Sequence, residues 1–267
     1  MKNKCCLFVA IFSFLFSFEG DKHDYYLPNG LKVIIYEKHT HPTIALNIIY
    51  DVGSHDDPIG KKGLTHVMAR LMEKGSKNYK NQEHLAIVES TGGYSEYSYW
   101  TIEDYLEFSN TSTSDNLELL LMLESDRMNS LLINSESVKN AKLDVISNIE
   151  ENMQASIWKI FRAIRNTYPK NHPYSFNPSG NIEDIKTISI DDCQNTYNEY
   201  FTPNNAILVI VGDVDPIDSF NLITKYFGHI KSSESLPKNP SLTFDATKNK
   251  DLNIIEIKNW PMNSYVE

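Results

Sequence analysis

"TIALNIIYDVGSHDDPIGKKGLTHVMARLMEKGS", residues Thr43 to Ser76, changes its period halfway along. In its first part Ile44, Leu46, Ile48 and Tyr50 fall on alternate positions, the period of a half-buried strand that ends at Gly53. In its second part, from Gly63 to Ser76, Leu64, Val67, Met68 and Leu71 recur at helical steps and Gly75 closes the run. The stretch therefore predicts a strand, a loop and a short amphipathic helix. His66, Ala69, Arg70 and Glu73 share the helix face opposite the apolar stripe. On such a polar face His66 reads as a solvated or hydrogen-bonded histidine, with a residual weak metal site as the alternative. Arg70 and Glu73 read as an ordinary i, i+3 surface pair, worth about 0.2–0.5 kcal/mol.

Outward from this stretch the chain keeps alternating between the two periods. Upstream, "YYLPNGLKVIIYEK" (25–38) predicts two short strands around a turn at Asn29-Gly30. Downstream, Asn81 to Ser90 predicts a helix stopped by Gly92-Gly93. "YSEYSYWTIEDYLEFS" (94–109) suggests a hairpin, with Tyr94, Tyr97, Tyr99, Trp100 and Tyr105 read as sheet core and a binding platform as the alternative. "NLELLLMLESDRM" (116–128) is an apolar helix with Ser114 or Asp115 as its cap. A long helical pattern runs from Ser135 to about Tyr168, with Ile146, Ile149, Met153, Ile157, Ile160 and Ile164 as its stripe. "DDCQNTYNEYF" (191–201) is a further helix broken at Pro203, and "DSFNLITKYFG" (218–228) a last one ended by Gly228. Between them "NAILVIVGDV" (205–214) reads as a strand buried on both faces. From Ser232 to Lys250 the composition is that of a linker. "LNIIEI" (252–257) then starts a strand, either the first of a second domain or one that returns to the edge of the sheet.

A chain of 267 residues holds one large domain or two small ones. Its net charge of −10, with no cluster of lysine or arginine, argues against a nucleic-acid binder. At the N-terminus the basic "MKNK" precedes an uncharged apolar run from Cys5 to Phe18, the layout of a secretory signal peptide, with an uncleaved anchor as the alternative. Export would place the mature chain in an oxidising compartment. Cys5 and Cys6 lie in the signal and leave Cys193 alone, so no intramolecular disulfide is expected.

Four landmarks, in this order, carry a family resemblance. They are "LPNGLKVIIYEKHTHPTIALNIIYDVGSHDDPIGKKGLTH" (27–66), "ESTGG" (89–93), "LESDRM" (123–128) and "YFTPNNAILVIVGDVDP" (200–216). From Tyr25 to Phe227 the chain resembles the N-terminal half of the pitrilysin/insulinase/mitochondrial-processing-peptidase family of zinc peptidases. The resemblance implies an α+β fold, a mostly antiparallel sheet with helices packed on one face, like one half-unit of that family. It also implies a zinc motif, H-x-x-E-H, in which two histidines bind the metal and the glutamate activates its water. Here the first histidine is His66, Ala69 replaces the glutamate base and Arg70 replaces the second histidine. A guanidinium has no lone pair to give a metal, and a general base contributes roughly 10²–10⁴ in rate.

The family's distant glutamate ligand aligns with Ile149, on the apolar stripe. Glu150 is rotated from it by about 100°. Glu150, Glu151 and Asp144 read as the wet side of the long helix, and His39, His41 and His55 as loop residues with no ligand geometry. The family's strand edge for peptides maps to Gly92, Gly93, Glu96 and Tyr97, with Glu96-Tyr97 in place of an Asn-Ala pair.

The sequence thus predicts a signal over 1–20, a peptidase-family N-terminal domain over 21–231, and a linker with the first strand of a truncated second domain over 232–267. It predicts a catalytically inactive homologue with no cofactor, exported to the periplasm or beyond. Its expected partner is an active homologous subunit or the missing C-terminal half, with peptides or unfolded segments as possible ligands. The alternative is a zinc endopeptidase with altered ligands, His66, Glu73 and Glu150. A third expectation is a peptide-binding module without catalysis.

Overall fold

Strand β3, Thr43–Tyr50, forms where the alternation placed it, and Ile44, Leu46, Ile48 and Tyr50 are all buried. The computed structural model describes residues 20–80, 82–97, 102–154, 156–169 and 172–236. Ahead of β3 lie β1 (Asp21–Tyr26) and β2 (Lys32–Glu37). After it come α1 (Leu64–Lys74), α2 (Glu83–Ser90), β4 (Tyr94–Tyr97), β5 (Leu106–Thr113), α3 (Leu117–Asn129) and α4 (Ser135–Gln154). The chain continues through α5 (Ser156–Arg165), α6 (Ile182–Thr187), α7 (Ile190–Tyr200), β6 (Ala206–Gly212) and α8 (Pro216–Phe227). The signal segment, the chain from 237 onward with "LNIIEI", Tyr99 and Trp100, and the side chains of Glu96, Tyr97, Met153 and Ile157 lie outside the described residues.

The six strands form one sheet in the order β1-β2-β6-β3-β5-β4. All neighbours are antiparallel except β2 and β6, so the fold is the expected α+β with a mostly antiparallel sheet. β6 slots between β2 and β3, with Val33 opposite Leu208 and Leu46 opposite Ile210. This central position explains its apolar run, but burial on both faces does not hold. Ala206, Leu208 and Ile210 are buried, whereas Ile207 and Val209 are half-buried and Val211 is exposed. The cause is one-sided packing: the buried residues of β2, β3, β5 and β6 share the face that carries the helices, and each fully buried Leu or Ile there contributes about 1.5–3 kcal/mol.

Other expectations are corrected by local chemistry. Neither Ser114 nor Asp115 caps α3, because residues 114–116 form a 3₁₀ turn that leads directly into the helix. The long pattern from 135 to 168 is helical on both sides of residue 155, as α4 and α5, but its stripe leaves the core: Ile149 is buried, whereas Ile164 is exposed. Tyr94 and Tyr105 are exposed and not sheet core. α7 starts at a capping box in which Ser189 and Asp192 satisfy each other's backbone N–H. Cys193 on α7 is buried, and that burial pushes its thiol up to about 12.

The landmark "LESDRM" holds a buried polar cluster that the sequence did not reveal. Glu124 and Arg127 of α3 are fully buried. Asn110 of β5 donates to Glu124 at 2.8 Å, and the guanidinium of Arg127 lies 2.8 Å from His84 Nδ1 and over the ring of Phe108. These contacts tie α2, α3 and β5 together beneath the edge strand.

Candidate functional site

α1 is held at its N-terminus by a carboxylate six residues before its capping glycine, Gly63. Asp57 accepts from the backbone N–H groups of Gly63 (2.7 Å) and Thr65 (2.8 Å) and from the Thr65 hydroxyl (2.7 Å). These are orphan donors of a helix start, satisfied here from a distant loop. Burial raises the Asp57 carboxyl to about 6, against the opposing pull of its hydrogen bonds and of Lys62. Gly63 has a left-handed φ of 106° and lies against Gly180, where an added Cβ would meet Gly63 Cα at 2.4 Å and Lys62 O at 2.2 Å. The two glycines let the segment after α5 run directly over the start of α1. Asp57 and Gly180 both position the helix, and helical periodicity carries no signal for either.

The helix face expected to meet solvent is buried. Every residue from Leu64 to Glu73 is shielded, because α4 and α7 pack against α1 from outside the sheet. His66 is 1% exposed, and neither ring nitrogen has a hydrogen-bond partner. The solvated histidine is thus replaced by a buried, neutral imidazole. Burial first, and the Arg70 charge second, lower it to about 3. One turn further on, Arg70 Nη1 donates to Glu73 Oε2 at 2.6 Å, with the two side chains 9% and 10% exposed. The expected surface pair is therefore a buried ion pair, governed by desolvation as much as by attraction. Lys74 at the helix end reaches Asp144 of α4 at 2.5 Å.

On α4, Ile149 is buried in the core and Glu150 and Glu151 are exposed. A catalytic zinc site needs three protein donors and an open position. His66 offers a lone pair, but Ala69, Arg70 and Ile149 offer none, and Glu73 is already held by Arg70. Among the described residues no group of three His, Cys, Asp or Glu side chains is gathered to hold a metal ion. The structure accordingly does not bring His66, Glu73 and Glu150 together as a ligand set. The residues present do not fit zinc.

The strand-edge residues fall where an edge is needed. Gly92 (φ 74°) and Gly93 turn the chain out of α2, the Gly93 N–H donating to Val88 O at 3.1 Å. β4 follows, paired only with β5 in the sheet order, with Glu96 opposite Ser109 and Tyr97 opposite Phe108. Its other backbone edge has no strand beside it among the described residues. Tyr94 at its start is 61% exposed.

Two of the loop histidines are engaged. His39 Nδ1 lies 2.5 Å from Asp213 and Nε2 lies 2.7 Å from Glu37, and these contacts raise its pKa, Asp213 first. His55 Nδ1 lies 2.5 Å from the carbonyl of Glu103. The Glu103 carboxylate in turn accepts from Arg165 Nη2 at 2.9 Å. Beside that pair a cleft opens between α4, α5 and the segment leading to Gly180, with Ile149 and Trp158 among its walls and Arg162, Arg165, Asn166 and Asn177 around it.

Residues 32–175 match the family described as insulinase (peptidase family M16), and residues 187–264 match the peptidase M16 inactive domain. The chain is 30% identical over 208 residues to the zinc protease PqqE of Helicobacter pylori, covering 77% of this chain and 46% of that protein. It is 22% identical over 209 residues to the mitochondrial-processing peptidase subunit beta of Saccharomyces cerevisiae, covering 78% and 45%. Among solved structures, a protease from Helicobacter pylori superposes with a TM-score of 0.77 at 28% identity, over 82% of this chain and 53% of that one. The first half of the periplasmic protease PqqL from Escherichia coli superposes with a TM-score of 0.73 at 19% identity, over 84% and 49%, a likeness of fold. The chain spans less than half the length of the two curated relatives.

Proposed function

The chain belongs to the insulinase family (peptidase family M16), and we propose that within it this chain is a non-catalytic member that binds peptides or a homologous partner without cutting. One observation carries the proposal. Three and four residues after His66, where the family resemblance implies a base and a second ligand, stand Ala69 and Arg70, and Arg70 is locked to Glu73 in a buried pair. A methyl group takes no proton from water, and a guanidinium opposes a divalent cation. Such a helix carries neither the base nor the second ligand that metal-assisted hydrolysis needs.

What remains is a scaffold with an edge strand. β4 offers backbone groups to an extended peptide, a mode of binding that does not depend on the side chains at Glu96 and Tyr97. The proposed partner is an active homologue or a second half-unit, since the matched relatives are about twice as long. Export is supported by the apolar run at Cys5 to Phe18 and by the periplasmic PqqL among the structural neighbours. Among the described residues no helix is long and apolar enough to cross a membrane. The competing function, a zinc endopeptidase built on His66, Glu73 and Glu150, would require Glu73 to leave Arg70 and exposed Glu150 to turn inward.

Incubation of the purified chain with unstructured fluorogenic peptides and added zinc tests the proposal. The expected result is no product above the blank. Cleavage abolished by a chelator would overturn it.

A further inference from the structure

The cleft beside α5 is basic on a chain whose net charge is −10. Arg162 and Arg165, one turn apart on α5, both line it, with the amides of Asn166 and Asn177 beside them and Ile149 and Trp158 supplying apolar wall. The free space is about 80 Å³. That suits a carboxylate on a short methylene stem and is too small for a nucleotide.

The two guanidinium groups differ in what already holds them. Arg165 gives Nη2 to Glu103, but its Nε is buried and has no hydrogen-bond partner. Arg162 is exposed and makes no ion pair among the described residues. Among the described residues Glu103 pairs with Arg165 alone, which leaves the Arg162 guanidinium as a charge at the cleft with no carboxylate on it. Guanidinium forks favour planar carboxylates, which they bind through paired N–H donors.

We propose that this cleft is a specificity pocket for an acidic side chain, glutamate or aspartate, of an extended peptide. The methylene stem lies against Ile149 and Trp158, and the carboxylate pairs with the exposed guanidinium of Arg162, with the charge of Arg165 beside it. The inference deepens the peptide-binding role and rests on it for the choice of a peptide as ligand. Ile149 gives the two a physical link, because the residue that stands at the family's third ligand position is also a wall of this cleft.

The test uses the full chain, with chelator present, and fluorescence anisotropy of a labelled, end-blocked pentapeptide, Gly-Leu-Glu-Leu-Gly, against its glutamine and lysine counterparts. The expected result is a preference for glutamate over glutamine of about tenfold or more, the scale of one charge-assisted hydrogen bond. Arg162→Gln should abolish that preference, and Arg162→Glu should shift it to the lysine peptide. Arg162 is exposed on the helix, so both variants should keep the wild-type thermal midpoint, which is measured alongside. Equal binding of the glutamate and glutamine peptides, or a preference unchanged by Arg162→Glu, would overturn the proposal. So would a glutamine peptide with a free C-terminus that binds as well as the glutamate one, which would make this a terminus site. Displacement by inorganic phosphate at constant ionic strength would assign the cleft to phosphate and overturn it equally. Mass spectrometry of the same samples separates the two claims: cleaved peptide contradicts the non-catalytic role, whereas a lost glutamate preference contradicts only the cleft.

Discussion

Arg70 donates to Glu73 at 2.6 Å inside the protein, one helical turn from a histidine that has no hydrogen-bond partner. Both charges are withdrawn from water by α4 and α7, which close over α1. Removing one partner therefore strands the other. Arg70→Ala should cost about 3–5 kcal/mol, while the double replacement Arg70→Met with Glu73→Met should be close to neutral. Urea unfolding of the three proteins measures this. Equal and small losses in both variants would mean that the pair is solvated.

His66 tests the same helix from the other side. Its two ring nitrogens are buried without partners, which costs roughly 1–3 kcal/mol per unsatisfied group. His66→Leu fills similar space without that cost and should raise stability at pH 7 by about 1–2 kcal/mol. A destabilised variant would show that the imidazole has a partner in solution.

Asp57 should give the chain a pH signature. Its carboxyl sits near 6 when folded and near 3.8 when unfolded, so between those values the folded state binds more protons. Its ionised form is a burden above pH 6, and the burden is lifted as pH falls from 6 towards 4. Relative to Asp57→Asn, the wild-type protein should gain on the order of 2–3 kcal/mol between pH 7 and pH 4. At pH 7 the variant should still lose about 1 kcal/mol through the weakened helix cap. Unfolding midpoints of the two proteins across that range check the sign, and a constant difference would contradict it.

Gly180 holds the segment after α5 against the start of α1 with a φ of 82°. A Cβ there would strike Lys62 O and Gly63. Gly180→Ala should lose roughly 2 kcal/mol or more. A variant with unchanged stability would show that this backbone contact is loose.

Short-range periods make β3 and α1 legible, because each presents its apolar residues to one core at its own repeat. The same logic puts Ile149 inward and Glu150 outward from helical spacing alone. What the spacing hides depends on partners distant in sequence. The polar face of α1 is buried by helices beginning 60 and more residues later, so Arg70 and Glu73 read as a surface pair. β6 enters the sheet between two strands that precede it by more than 150 residues, which no local pattern announces. The buried Glu124 and Arg127 break the rule that charges stay outside, and only Asn110, His84 and Phe108 around them explain why they can. Asp57 caps α1 from six residues before Gly63, outside the window in which caps are sought.

The most direct measurement is the zinc content of the purified chain, by elemental analysis after dialysis against zinc-free buffer. A site with His66 as its sole donor, flanked by Ala69 and Arg70, should retain close to none. One zinc per chain, lost on His66→Ala, would contradict the central claim and make the chain a metallopeptidase candidate.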